Sequence, residues 1–458
     1  MTDPIRLDDA TALLTQVAAG RATPEQVASA VRARAEEIRK LNAFVEPELT
    51  GILERAAGSP AGPLRGLPLA VKDCFDTEQL PTGAGTPALT GRRTRRDAGV
   101  VARLRAAGAF VAGKTTLHEL SFGITSHNAW TGAVRNPVDP SLIPGGSSGG
   151  TAVAVAAGVV PVGLAGDTGG SARLPAALCG VVGFRPTHGR YPADGAVPVS
   201  GTRDTPGLIG RTVADVALLD GVLAGAGTGA GTGADPAMPL AGLRLGLPTT
   251  FWSGLDPEVE RVSIAARDVV EAAGVVLVEV ALDEVSSLAD ALAFPLCQAE
   301  FGGDLAAYLA REDDGVTVAQ VCGQIRSPDV VKSVALCLPG LDEAAHARLL
   351  LARAELRARY AALLADAGVA ALIFPTSPLP ARPIGEDVRV ELRGRSVPTF
   401  ASYTRHLALA GVAGHPGISV PAGRTLAGLP VGIELDGPVG GDRSLLALAG
   451  AVAAVLAG

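Results

Sequence analysis

Residues 144–171 read PGGSSGGTAVAVAAGVVPVGLAGDTGGS and contain two glycine-rich serine loops, GGSSGG and GDTGGS. A run of small residues, typical of a helix, and a short apolar run, typical of a strand, join the two loops. Glycine beside a serine lets the backbone adopt turns that other residues resist, and it lets a substrate approach the main chain. Consecutive N–H groups in such a loop can converge on a developing oxyanion. The segment therefore predicts a serine-dependent site on a strand-and-helix framework.

Lysine is rare in this chain, with four among 39 basic residues, and Lys72 lies in the apolar segment LPLAVKDCF. A buried lysine can lose its proton whereas an arginine cannot, so Lys72 can supply the base that a serine hydroxyl needs. The usual histidine base has no recognisable spacing here. A plainer interpretation of Lys72 is a salt bridge with Asp73 or Asp76. A plainer interpretation of the two serine loops is a pair of tight turns in a glycine-rich chain. Two serine loops together with an isolated apolar lysine favour catalysis.

The pattern of apolar runs predicts an α/β protein. From residue 66 onward, short β-type runs alternate with alanine-rich helical runs. Thr23, followed by Pro24 and by Gln26 at the capping-box position, indicates the start of an earlier helix. We predict one domain over residues 1–458, made of a helical lead-in (1–65), a catalytic core (66–223), a flexible glycine-rich loop (224–236) and the remaining α/β fold on the substrate-pocket side (237–458).

The composition excludes several classes of function. The formal net charge is −7, and the longest basic run covers only residues 92–96, so a nucleic-acid partner is disfavoured. Five cysteines without a CxxC pair and six histidines without a ligand cluster indicate a reduced compartment, no metal and no cofactor. Residues 151–166 are too few for a spanning helix, and the first residues lack an apolar signal core. We therefore expect a cytoplasmic protein that does not bind membranes.

Two shorter motifs allow other interpretations. GAFVAGKT at 108–115 fits the P-loop pattern, in which Lys114 would contact phosphate. A P-loop follows a strand and opens a helix, whereas here a predicted helix ends at Gly108 and FVA is itself strand-like. A P-loop nucleotide-binding protein is thus the alternative from another class. GGSSG at 145–149 fits the nucleophile elbow of α/β-hydrolases, but an elbow needs a preceding strand and SLIPGG indicates a turn.

The motifs together resemble the amidase signature family. The resemblance rests on PLAVKD around Lys72, IPGGSSGG around Ser147 and GDTGGSARLPAALCGVVGFRPTHGRY around Ser171, and it extends over nearly the whole chain. It implies the amidase signature fold, a large mixed central β-sheet covered by helices on both faces. It also implies a Ser-cisSer-Lys triad, in which Ser171 is the nucleophile, Ser147 follows a cis peptide and Lys72 is the base.

Further site residues follow from these assignments. We expect the oxyanion to be held by backbone N–H groups of the nucleophile loop, namely those of Thr168, Gly169, Gly170 and Ser171. Three neighbours are candidates for supporting or substrate roles. Ser148 could hydrogen-bond Lys72, Asp167 could brace the oxyanion turn, and Arg173 could order a helix start or meet a polar end of the substrate.

Within the family, residues 122–150 and 381–400 are most similar to indoleacetamide hydrolases and mandelamide hydrolases, whereas residues 401–416 depart from the polar segment of those enzymes. The resemblance implies hydrolysis of a small primary carboxamide, such as indole-3-acetamide or mandelamide, to carboxylate and ammonia through a Ser171 acyl-enzyme. A second interpretation is the amidase subunit of a tRNA-dependent amidotransferase, which passes ammonia to a partner. The predicted ligand is a small-molecule amide, and a homodimer stays open.

Overall fold

The computed structural model describes residues 5–46, 49–225, 238–312 and 314–458. Its strands are β1 (Pro68–Lys72), β2 (Phe110–Thr115), β3 (His127–Asn128), β4 (Gly132–Ala133), β5 (Val162–Asp167), β6 (Val182–Arg185), β7 (Thr205–Gly210), β8 (Arg244–Pro248), β9 (Val276–Val280), β10 (Ala371–Pro375), β11 (Arg389–Leu392), β12 (Arg395–Pro398), β13 (Gly417–Arg424) and β14 (Pro430–Asp436).

Its α-helices are α1 (Ala10–Ala18), α2 (Pro24–Glu37), α3 (Ile52–Ala57), α4 (Gly99–Ala106), α5 (Gly149–Ala156), α6 (Arg173–Cys179), α7 (Val213–Leu223), α8 (Pro257–Ala272), α9 (Asp283–Leu309), α10 (Val318–Gly323), α11 (Pro328–Cys337), α12 (Glu343–Ala367), α13 (Thr399–Thr404), α14 (Ala408–Ala413) and α15 (Asp442–Leu456). The Thr23 hydroxyl accepts the N–H of Gln26 at the start of α2, which is the predicted capping box. Of the predicted flexible loop at 224–236, residues 226–236 lie outside the described residues. The domain limits stay predictions.

A ten-stranded mixed sheet organises the chain, in the order β2-β1-β5-β7-β6-β13-β14-β10-β8-β9. The strands at its two ends pair in parallel: β1 with β2 and β5, and β8 with β9 and β10. The central strands from β5 to β10 pair antiparallel. The sheet predicted by the family resemblance is therefore confirmed. β11 with β12, and β3 with β4, form separate two-stranded sheets.

Helices lie on both faces of this sheet. Val162 pairs with Gly210 and Gly163 pairs with Ile209 across β5 and β7, and successive residues of a strand point to opposite faces. A Cβ added to Gly163 would contact Thr151 of α5, whereas a Cβ added to Gly210 would contact Val216 of α7. Helices α5 and α7 therefore cover opposite faces. No described helix combines the length and the apolar character that a membrane span needs.

The P-loop interpretation of residues 108–115 is wrong. Phe110–Thr115 is a fully buried strand, β2, so Lys114 lies inside the sheet and not at the start of a helix. Its ammonium lies 3.0 Å from the Asp73 carboxylate and also donates to the Pro81 carbonyl and the Thr82 hydroxyl, each at 3.0 Å. Lys114 is thus a buried ion-pair residue that fixes the chain just after β1.

We expect Lys114→Met to destabilise the fold without creating or removing any nucleotide binding. The substitution leaves the Asp73 carboxylate buried without its cation, which typically costs about 3 kcal/mol or more. The measurement is the free energy of unfolding by urea, together with calorimetry against ATP. Lys332→Met on α11 is the control and should change stability by less than about 0.5 kcal/mol. Equal stability of the two variants would contradict the assigned role.

Candidate active site

Lys72 and Ser147 form a buried hydrogen-bonded pair. Lys72 is the last residue of β1, and its Nζ lies 2.7 Å from Oγ of Ser147. Their exposed fractions are 1% and 0%. Within the described residues Lys72 has no ion pair, because the Asp73 carboxylate is taken by Lys114 and the Asp76 carboxylate accepts the Tyr308 hydroxyl at 2.7 Å. The salt-bridge interpretation of Lys72 is therefore wrong.

Burial lowers the pKa of Lys72 below its ordinary value. Cys74, Asp204 and Asp167 act in the opposite direction, and burial outweighs them. The cause is desolvation, because removing an ammonium from water disfavours its charged form. Lys72 therefore gives up its proton more readily than a surface lysine, and a neutral amine can accept the proton of the Ser147 hydroxyl.

Ser147 is presented at the entrance to helix α5, which begins at Gly149. The Gly146–Ser147 peptide bond is cis, as the family resemblance implies. The Ser147 carbonyl accepts the backbone N–H of His118 at 3.1 Å, and the Ser126 hydroxyl donates to the Gly145 carbonyl at 2.9 Å. These contacts hold the first serine loop in one position against the segment that precedes it.

Ser171 lies between strand β5 and helix α6, partly exposed on the wall of a cavity of about 620 Å³. Its carbonyl accepts the N–H of Ser148 at 3.2 Å, so the two serine loops are tied together through the main chain. Within the part of the chain that the structure describes, its hydroxyl makes no hydrogen bond. Catalytic contacts are often loose before substrate binds. The free hydroxyl is available for attack on a carbonyl carbon in the cavity.

The predicted oxyanion donors do not all have free N–H groups. The Gly170 N–H donates to Oδ1 of Asp167 at 2.8 Å and is therefore occupied. Among described residues, the N–H groups of Gly169 and Ser171 have no partner, and Thr168 borders the same cavity. Gly170 adopts φ +114°, and a Cβ there would lie 2.5 Å from Cδ1 of Leu407. In this conformation Gly170 shapes the turn, and its N–H is not free to bind an oxyanion.

Asp167 braces the nucleophile turn, as expected. Its carboxylate accepts the N–H groups of Gly170 and Ala172 and ion-pairs with both Arg173 and Arg185. Burial by itself would raise its pKa, but the two guanidinium groups outweigh burial and hold the pKa well below the usual range. Asp167 is therefore a fixed anion at the end of β5.

The remaining two predictions are decided by contacts. Arg173 is fully buried and donates to Asp167, to Glu434 at 2.9 Å and to the Leu407 carbonyl, so it orders the start of α6 and does not face a substrate. The Ser148 hydroxyl bonds the backbone of Gly166 and not Lys72, with distances of 3.2 and 3.3 Å. The proposed Ser148–Lys72 hydrogen bond is therefore wrong.

Two supporting arginines were not predicted from the sequence. Arg185 donates to the carbonyl of Asp167 and, at 2.9 Å, to that of Arg203. Arg203 donates to the carbonyl of Thr168 at 3.3 Å and contacts Sγ of Cys297 at 3.1 Å. The signal for Arg185 was the one used for Lys72, a cation in the apolar run VVGFR. In the described residues no group of His, Cys, Asp or Glu side chains could hold a metal ion.

Comparison with known proteins gives a consistent result. The family model described as Amidase matches residues 26–446. An indoleacetamide hydrolase of Agrobacterium vitis is 43% identical over 92% of this chain and 91% of its own length. A mandelamide hydrolase of Pseudomonas putida is 37% identical over 95% and 89%, respectively. The X-ray structure of a peptide amidase from Stenotrophomonas maltophilia superposes with a TM-score of 0.82, at 31% identity over 98% of this chain and 97% of that one.

We expect Gly170→Ala to destabilise the protein by about 2 kcal/mol and to remove most activity. An alanine there is strained by the positive φ and by contact with Leu407, so the nucleophile turn must move. Gly221→Ala is the matched control, because nothing lies within 4 Å of the added Cβ. In helix α7 it should be neutral or stabilising by about 0.5 kcal/mol. Thermal unfolding and turnover of both variants check this. A Gly170→Ala variant with the stability and turnover of the wild-type enzyme would contradict it.

We expect kcat/KM to rise with pH until Lys72 is fully deprotonated. The amine acts as a base only when neutral, so below its lowered pKa the rate falls about tenfold for each pH unit. The rise of kcat/KM should level off at a pH below the ordinary lysine pKa of 10.5. A pH–rate profile on a neutral amide measures it. A profile that falls as pH rises through neutrality would require the protonated amine and would contradict the assignment.

Proposed function

Because this chain belongs to the amidase family, and so is a hydrolase of amide C–N bonds, we propose that it hydrolyses arylacetamides to the carboxylate and ammonia. The reaction passes through an acyl-enzyme on Ser171. The observation that carries the proposal is the buried hydrogen bond between Lys72 and Ser147, set directly beside the loop of Ser171. A neutral amine joined to a serine hydroxyl in this way is a proton acceptor for a serine nucleophile.

The proposed proton path has three members. Oγ of Ser171 attacks the amide carbonyl, its proton passes to Ser147, and the proton of Ser147 passes to Nζ of Lys72. The C–N bond then breaks, and the same path returns a proton to the departing ammonia. Water attacks the acyl carbon in the second half of the reaction, and Lys72 again takes up the proton through Ser147. Lys72 carries the extra proton only between these steps, and it is neutral again once Oγ of Ser171 has regained its proton and the carboxylic acid has left.

The developing oxyanion is proposed to bind the N–H groups of Gly169 and Ser171, with Thr168 at the same rim. Two donors on one turn that have no partner in the described ranges suit this role, because they need no rearrangement when charge develops. The anion Asp167 holds that turn from behind through Gly170 and Ala172. Losing one such donor typically costs about 3 kcal/mol of transition-state stabilisation.

The aryl preference is supported by the cavity around Ser171. Phe122, Phe294 and Phe400 all lie on its wall, and the last two have exposed fractions of 42% and 57%. The chain has only ten phenylalanines, so three on one wall is a marked concentration. Aromatic side chains bind a flat ring through apolar contact and edge-to-face packing. The names of the indoleacetamide and mandelamide hydrolases point to the same class of substrate.

The setting of the enzyme is also a proposal. We place it in the cytoplasm, acting on a small-molecule amide without a nucleic-acid or membrane partner. The five cysteines are all free thiols, which suits a reducing compartment. Assembly as a homodimer stays a prediction that the mass in solution tests. Activity of the chain alone would separate this proposal from that of an amidotransferase subunit, which depends on a partner protein.

We expect Ser171→Ala and Lys72→Met each to lower kcat/KM for arylacetamides by about 10³-fold or more while the protein remains folded. Ammonia release from indole-3-acetamide, mandelamide and short aliphatic amides is the measurement. Hydroxylamine added during turnover should trap the acyl group from wild-type enzyme and none from Ser171→Ala.

The controls are Ser29→Ala and Lys332→Met, which change the same residue types outside the cavity and should keep wild-type rates. Two outcomes would overturn the proposal. One is near-normal turnover by Ser171→Ala. The other is a wild-type enzyme that hydrolyses aliphatic amides and no arylacetamide.

A further inference from the structure

One face of helix α9 forms part of the cavity wall that contains Ser171. Asp290, Ala293, Phe294 and Cys297 all line the cavity, and their spacing of three and four residues places them on one side of the helix. Three of these four side chains are apolar or weakly polar. Asp290 is the carboxylate of this face, one turn of helix from the exposed ring of Phe294.

Asp290 is an acidic side chain of this wall without a counter-ion in the described residues. Among the described residues its carboxylate makes neither a hydrogen bond nor an ion pair. Two hydroxyls of the wall have partners of their own: the Ser333 hydroxyl donates to the Asp329 carbonyl at 3.0 Å, and the Thr404 hydroxyl donates to that of Phe400 at 2.9 Å. Asp290 lies at the solvent-exposed rim of the cavity, and the burial of part of its surroundings raises the pKa of its carboxyl.

The two arginines of the same wall are committed elsewhere. Arg405 donates to the Ser253 carbonyl at 2.7 Å and to the His406 ring at 3.0 Å. Arg203 donates to the Ala293 carbonyl, to that of Thr168 at 3.3 Å and to Sγ of Cys297. Within the described residues neither guanidinium contacts the carboxylate of Asp290. The cavity therefore presents a free hydrogen-bond acceptor beside an aromatic surface.

We propose that Asp290 selects arylacetamides whose ring carries an N–H or O–H donor, by accepting a hydrogen bond from that donor while Phe294 contacts the ring. This inference rests on the proposed function and narrows its substrate class. A hydrogen bond to a charged acceptor is stronger than one between neutral groups, and a site built for a donor discriminates against an analogue that lacks it. Asp290 is thus a specificity residue that takes no part in proton transfer.

The test compares indole-3-acetamide with benzofuran-3-acetamide, in which a ring oxygen replaces the N–H, and with phenylacetamide as a reference. Wild-type enzyme should prefer the indole over the benzofuran by about tenfold or more in kcat/KM. Asp290→Leu should reduce that ratio to about one, because leucine cannot accept a hydrogen bond from the ring N–H. Glu284→Gln is the control, since Glu284 lies on the same helix in an exposed pair with Arg359 and should keep the wild-type ratio.

The outcomes separate the two proposals. Equal rates for indole and benzofuran in wild type, or a preference that survives Asp290→Leu, would overturn the role of Asp290 while arylacetamide hydrolysis stands. A wild-type preference for 4-carboxyphenylacetamide over phenylacetamide would also overturn it and would assign recognition to Arg405. Failure to hydrolyse any of the four amides would remove the proposed function and this inference together.

Discussion

The buried contact between Nζ of Lys72 and Oγ of Ser147 is the interaction on which the rest of this molecule depends. Taking an ammonium out of water is costly, and in this site burial outweighs the carboxylates that would favour the charged form. The fold thereby favours the neutral amine of a residue type that carries a proton at neutral pH when exposed to water.

Fixed charges around the pair are kept apart from it. Lys114 neutralises Asp73, the neighbour of Lys72 in sequence, so the carboxylate closest along the chain does not hold a proton on the amine. On the other side, Arg173 and Arg185 neutralise Asp167, the anion that shapes the nucleophile turn. Asp73 and Asp167 therefore each have their own cation, and the Lys72 amine has a hydroxyl as its hydrogen-bond partner.

Much of the site could be predicted because its signals are local. The apolar run around Lys72 predicts that the amine is buried and desolvated. The glycines around the two serines predict tight turns at both positions. The contacts of Gly170 and Ser148 could not be predicted, because a carboxylate three residues away and a strand eighteen residues away compete for the same groups. The order of strands and the aromatic wall were also beyond reach, since Phe294 and Phe400 come together with Ser171 only through the packing of distant helices.

The protonation state of Lys72 in the resting enzyme can be measured directly, by NMR of lysine labelled at Nζ during a pH titration. Only four lysines are present in the chain, and Lys72→Met identifies the signal. We expect Lys72 to titrate below the ordinary value of 10.5 and to be largely neutral where the enzyme is active. A Lys72 signal that stays protonated up to or beyond the ordinary value would contradict it.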